Sequence, residues 1–189
     1  MFFFICVTFG LALALMLNTL AIKLAFIGLI LAVVYPFTKR WIHAPQLILG
    51  FAFAWGMPMA YAAIQEKLSW ECWYLFTLVI LLAIAYDTLY AMVDKEDDMT
   101  IGIKSTAIWF GRHDKTIVFV LQLVVWLGLL LFGFLQHYSW MFDAWIACSL
   151  GFFIYQRKLL REQTTQKYFQ AFLNHHWFVL WVWIGFVMG

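Results

Sequence analysis

The chain has 189 residues, of which 66% are hydrophobic and 12% charged, and its mean hydropathy is +0.87. That leaves too little polar surface to cover a soluble domain, so the chain reads as an integral membrane protein whose first partner is the lipid bilayer. A formal net charge of +2 gives no sign of a nucleic-acid partner.

Seven apolar spans follow in chain order. The first runs from about Phe2 to Leu17 and is broken at Asn18-Thr19. Its opening, Met1-Phe-Phe-Phe-Ile-Cys-Val, lacks the basic residues of a signal peptide, and an apolar run from residue 2 reads as the interior of a longer protein. The second covers Leu20 to Phe37, with Lys23 able to snorkel near its start and Tyr35-Pro36 acting as a helix stop. The third, Gln46 to Ile64, contains Gly56-Met-Pro58 and should kink there. The fourth, Trp70 to Val93, leads straight into an acidic run. Thr116 to Leu135, Trp140 to Gln156 and His175 to Met188 complete the set. The expected fold is an all-α transmembrane helix bundle forming a single domain over residues 1–189.

Ten of the twelve basic residues fall in the loops after spans two, four and six: Lys39, Arg40, Lys95, Lys104, Arg112, Lys115, Arg157, Lys158, Arg161 and Lys167. The positive-inside rule puts these loops, with the N-terminus, in the cytoplasm and the C-terminus outside. The long loop from Asp97 to Thr116 has a stretch between Gly102 and Gly111 that fits either a helical lid or an interfacial helix. Residues 157–172 read as a second interfacial helix, with Tyr168, Phe169 and Phe172 on its apolar side. The isolated Cys6, Cys72 and Cys148 show neither metal spacing nor a disulfide framework. His113 reads as a loop residue, and His137, His175 and His176 fall near span ends with no ligand spacing to the acidic run.

The chemistry concentrates in Asp87-Thr-Leu-Tyr90-Ala-Met-Val-Asp94-Lys-Glu96-Asp97-Asp98. On one continuous helix, Asp87, Tyr90, Asp94 and Asp98 share a face, and Asp97 flanks it. An Asp inside a membrane segment costs roughly 2.5–3.5 kcal/mol on insertion scales. Adjacent carboxylates add about 1 kcal/mol of repulsion per close pair even in water. Lys95 alone cannot neutralise the cluster, whereas a hard divalent cation such as Mg²⁺ suits all-oxygen carboxylate ligands. The alternative is a solvated acidic cap just outside the membrane. Carboxylates, a divalent ion and nearby Arg or Lys together suit a diphosphate, and an apolar bundle beneath suits a hydrocarbon tail. For Lys39-Arg40 the plain alternative is positive-inside anchoring.

The run Tyr86-Asp87-Thr-Leu-Tyr90-Ala-Met-Val-Asp94-Lys-Glu-Asp97-Asp98-Met-Thr-Ile-Gly102-Ile-Lys104-Ser-Thr-Ala resembles the second aspartate-rich motif of the UbiA superfamily of membrane prenyltransferases. Val34-Tyr35-Pro36-Phe-Thr-Lys39-Arg40, Leu49-Gly50 and Gly56-Met-Pro58-Met-Ala resemble its 4-hydroxybenzoate polyprenyltransferase branch. The resemblance implies Mg²⁺-dependent transfer of a polyprenyl group from polyprenyl diphosphate to the ring of 4-hydroxybenzoate in ubiquinone synthesis, at the cytoplasmic face of a bacterial inner membrane. It implies Asp94, Asp98 and Arg40 as catalytic residues, Asp94, Asp98 and Asp87 as metal ligands, and Arg40, Lys104, Tyr90 and Asp87 as substrate-binding residues. The family also carries an earlier Asn-Asp-x-x-Asp-x-x-x-Asp motif and nine spans. Here the only asparagines are Asn18 and Asn174, so the expectation is a chain lacking two helices and half of the metal site, weak or inactive alone. Two alternatives stand beside this reading. One is a non-catalytic membrane remnant that binds lipid or a partner, and the other a sister prenyltransferase with another aromatic acceptor.

Overall fold

The computed structural model describes residues 2–38 and 40–189, with side chains from residue 4 onward. The described secondary structure consists of helices and short 3₁₀ turns. In order the helices are α1 (Phe2–Leu15), α2 (Thr19–Thr38), α3 (Pro45–Ala54), α4 (Gly56–Gln65), α5 (Trp70–Val93), α6 (Lys95–Ile101), α7 (Thr106–Phe110), α8 (Asp114–Leu135), α9 (Trp140–Leu159) and α10 (Thr165–Met188). Taking α3 and α4 as one rod, this gives seven apolar rods and a short helical excursion, α6–α7, between α5 and α8.

Five stretches are long and apolar enough to cross a membrane: Thr19–Thr38, Pro45–Gln65, Trp70–Val93, Thr106–Leu135 and Thr165–Met188. Of the seven expected spans, two fall short of that standard for different reasons. Helix α1 has 14 residues, roughly 21 Å at 1.5 Å per residue. Helix α9 has the length, but Asp143, Gln156, Arg157 and Lys158 lower its apolarity.

Two local expectations change. Pro36 does not stop α2, which continues to Thr38, where the Thr38 hydroxyl donates to the Tyr35 carbonyl at 2.6 Å. The Gly56 break occurs as expected, but Trp55 stays right-handed helical (φ −60°, ψ −21°), so the rod bends without reversing. Residues 165–172 are the first turns of α10 and not a separate interfacial helix. Their apolar side packs into the bundle: Phe172 stacks on Tyr86 with ring centroids 4.4 Å apart and contacts Tyr90 at 5.1 Å, and Ala171 is fully buried.

Helix α5 is the axis of the bundle, packed by α3, α4, α7, α8 and α10. Gly50 lets α3 press close to it. A Cβ there would stand 3.2 Å from both the Ile80 carbonyl oxygen and its Cγ2. A second set of ties joins α8, α9 and α10. Gln122 donates to Gln156 at 2.6 Å, and Gln156 to Asn174 at 3.1 Å. Trp145 and Trp181 each donate the indole N–H to the other's backbone carbonyl. In a bilayer such polar pairs replace the hydrophobic drive that lipid cannot supply.

Candidate functional site

The acidic run straddles two helices. Helix α5 ends at Val93, and Asp94 leaves helical geometry (φ −95°, ψ 3°) before α6 begins at Lys95. The single stripe expected from Asp87 to Asp98 is thus interrupted at Asp94. A short polar side chain competes with the helix for backbone partners and so tolerates such a junction. The Asp98 N–H still reaches the Asp94 carbonyl at 2.8 Å. Glu96, Asp97 and Asp98 occupy the first turn of α6, where a helix favours negative charge. Gly102 then ends α6 in the left-handed region (φ 73°), and the Ile103 N–H closes back on the Asp98 carbonyl at 3.0 Å.

From Gly102 the chain crosses over the end of the bundle toward α2 and α3. Lys104 Nζ donates to the Trp41 carbonyl at 3.1 Å. The Thr106 N–H donates to Gln46 Oε1 at 2.9 Å, and the Thr106 and Thr88 hydroxyls share a 2.6 Å hydrogen bond. Gln46, Thr88 and Thr106 are all buried. Lys104 therefore stands beside the turn that carries Arg40, which is exposed, while Lys39 lies outside the described residues. Asp87 is half-buried on α5, within electrostatic reach of Tyr35 on α2. Tyr90 is 40% exposed and turned to Phe172.

Other members of the run face elsewhere. Lys95, Glu96, Asp97, Arg112, Lys115 and Tyr168 line a polar cleft of about 650 Å³ between α6 and the starts of α8 and α10. Lys95 Nζ lies 2.7 Å from Asp114 Oδ2 and 3.0 Å from the Gly111 carbonyl oxygen. The acidic run is thus divided: Asp87 lies toward Tyr35 on α2, whereas Glu96 and Asp97 line this cleft.

No three Asp, Glu, His or Cys among the described residues are close enough to enclose one ion. Asp87, Asp94 and Asp98 do not form a ready-made three-carboxylate cage. The chemistry of the donors still fits Mg²⁺, which is commonly held by one or two carboxylates, with waters and substrate phosphates filling its octahedron.

Along α5, beside Tyr86, lies a partly open apolar groove of about 560 Å³, lined by Leu49, Phe53, Leu82, Ala83, Leu180 and Trp183, with Tyr86 and His176 as its polar lining. A narrower space of about 230 Å³ shares Leu82, Val179 and Trp183 with it and reaches Leu75. From Tyr86 to Leu75 the path follows α5 for roughly 17 Å at the helical rise. Tyr86 directly precedes Asp87, so the groove opens where the acidic run begins. His175 corrects an expectation: it sits ten residues inside α10, 2% exposed, among Tyr86, Phe153 and Phe178.

Sequence reasoning missed Gln46, Thr88, Thr106 and Asp114. Gln46 and Thr88 each stand alone in apolar helices, and their partners are remote in sequence, so no local pattern marks them.

The UbiA prenyltransferase family matches residues 1–183. The chain is 42% identical over 185 residues to a protein of Actinobacillus pleuropneumoniae serotype 5b (strain L20) and 48% identical over 181 residues to one of Vibrio campbellii, both named 4-hydroxybenzoate octaprenyltransferase. The matches cover 98% and 94% of this chain, which spans 62% of the length of each relative. A solved structure described as a digeranylgeranylglyceryl phosphate synthase in membranes superposes with a TM-score of 0.72 at 20% identity, over 95% of this chain and 64% of that one. This chain belongs to the UbiA prenyltransferase family.

Proposed function

We propose that this chain is an aromatic prenyltransferase that moves a polyprenyl group from polyprenyl diphosphate to ring position 3 of 4-hydroxybenzoate, in the ubiquinone pathway of a bacterial inner membrane. One observation supports the reading: at one end of the bundle Lys104 meets the Trp41 carbonyl beside the Arg40 turn and Asp87 lies within electrostatic reach of Tyr35 on α2, next to an apolar groove that begins at Tyr86. The names of the relatives support the choice of acceptor.

In this reading the prenyl tail lies along α5, against Leu82 and Trp183, and its diphosphate emerges at the charged end. Arg40 and Lys104 hold the diphosphate oxygens, Arg40 through its bidentate fork. Asp94, Asp98 and Asp87 would hold Mg²⁺, which when bound would supply positive charge against the departing diphosphate. The allylic C–O bond breaks and its electron pair leaves with the diphosphate. The ring carbon ortho to the hydroxyl attacks the allylic carbon, and the proton on that ring carbon passes to the released diphosphate as aromaticity is restored. The positive-inside rule supports a cytoplasmic side for this end.

The test supplies purified chain in lipid vesicles with a polyprenyl diphosphate, Mg²⁺ and a panel of aromatic acids, and identifies the products by mass spectrometry. A 3-prenylated 4-hydroxybenzoate supports the reading. Product with a different acceptor places the chain in a sister branch, and no product with any acceptor favours a lipid-binding role without catalysis.

A further inference from the structure

We propose that Lys95 is a positioning residue: its latch to Asp114 and Gly111 holds segment 95–114 in place and keeps the lysine's charge away from Asp94 and Asp98. The role in diphosphate binding rests on the function proposed above.

Lys95 follows the junction at Asp94 and precedes Asp98 by three residues. A lysine at that point has both carboxylates within the length of its stem. It turns instead to the start of α8, donating to Asp114 Oδ2 at 2.7 Å and to the Gly111 carbonyl at 3.0 Å. The side chains are 26% and 7% exposed, so the pair is shielded well beyond an ordinary surface ion pair. Both acceptors are shaped for it. Gly111 has φ +57° and ψ −119°, a backbone region closed to residues with a Cβ, and this conformation carries the carbonyl that Lys95 meets. Asp114 uses its other oxygen, Oδ1, to accept its neighbour's N–H at 2.7 Å. The cations on either side are engaged elsewhere. Arg112 donates to His113 at 3.2 Å, and Lys115 stands 5.7 Å above the centre of the Tyr168 ring.

Two consequences follow. The segment carrying Asp97, Asp98 and Lys104 is tied at its neck, between the first residue of α6 and the first residue of α8. Lys104 and Thr106 then tie its middle to the α2–α3 side. Freeing the neck releases the junction at Asp94 and so the carboxylates on either side of it. In Asp114→Asn it also leaves the Lys95 ammonium without its carboxylate partner, next in sequence to Asp94.

The experiment uses the purified chain in lipid nanodiscs, with Mn²⁺ and inorganic pyrophosphate as probes. Electron paramagnetic resonance reads Mn²⁺ binding, and amide hydrogen exchange reads residues 96–113. Lys95→Met and Asp114→Asn should each weaken pyrophosphate-linked Mn²⁺ binding about tenfold. They should speed exchange in 96–113 by about tenfold or more, with the core amides of α5 and α10 unchanged. Lys95→Arg should restore both. If Lys95→Met fails to fold, Lys95→Gln, which keeps a hydrogen bond and no charge, is read in its place. Unchanged Mn²⁺ binding in Lys95→Met overturns the positioning role alone, whether or not exchange rises. A wild-type chain with no pyrophosphate-linked Mn²⁺ binding overturns this role and the proposed function together.

Discussion

The Thr88 and Thr106 hydroxyls share a 2.6 Å hydrogen bond across eighteen residues of sequence. Thr88 belongs to the central helix and Thr106 opens α7, whose N–H is taken by Gln46 on α3. The three side chains are at most 2% exposed. They fix the excursion that carries Lys104 onto the bundle. Replacing Gln46 by Leu removes the acceptor and leaves a buried N–H unpaired, at a cost of about 1–3 kcal/mol. Thermal unfolding in nanodiscs should show a lowered midpoint for Gln46→Leu and a smaller loss for Thr88→Ala. Equal midpoints would mean that α7 is held by other contacts.

Arg40 and Lys104 are expected to act on the diphosphate and not on the fold, because Arg40 is exposed and Lys104 makes a single hydrogen bond to the Trp41 carbonyl. Arg40→Lys keeps the charge and loses the fork, so KM for the prenyl diphosphate should rise about fivefold or more. Arg40→Ala should lower kcat/KM by about a hundredfold. Steady-state kinetics with each substrate varied in turn checks this. Weakened binding confined to the aromatic acid would move Arg40 to the acceptor's carboxylate.

Gly50 sets the distance between α3 and α5, since a Cβ would meet Ile80 backbone and side chain at 3.2 Å. Gly50→Ala should cost about 1–3 kcal/mol through overpacking. Gly50→Leu should force the helices apart and enlarge the space beside Leu49. Unfolding midpoints check the first, and a changed preference for prenyl chain length checks the second.

Much of this architecture is legible from sequence. The apolar rods, the Gly56 break and the basic end follow from composition, glycine and loop charge. The acidic run announces itself through Asp87, Asp94 and Asp98. Two aspects are not legible. The junction at Asp94 is invisible because i, i+4 and i, i+7 spacing assumes an unbroken helix. The Lys95–Asp114 pair is invisible because it spans nineteen positions, and loop geometry set by Gly111 makes it. The start of α10 shows a related ambiguity. Tyr168 and Phe172 form an apolar face that suits a membrane surface and a protein core equally, and only the stacking of Phe172 on Tyr86 decides between them.

The most direct measurement compares prenyl transfer to 4-hydroxybenzoate by the wild-type chain and by Asp94→Asn, Asp98→Asn and their double variant, in vesicles, as Mg²⁺ is titrated. Wild-type product should form and vanish when Mg²⁺ is chelated. Each single variant should lose about a hundredfold or more, with unfolding midpoints unchanged. A double variant that still forms product at the wild-type rate, with the same dependence on Mg²⁺, would contradict the metal role of Asp94 and Asp98.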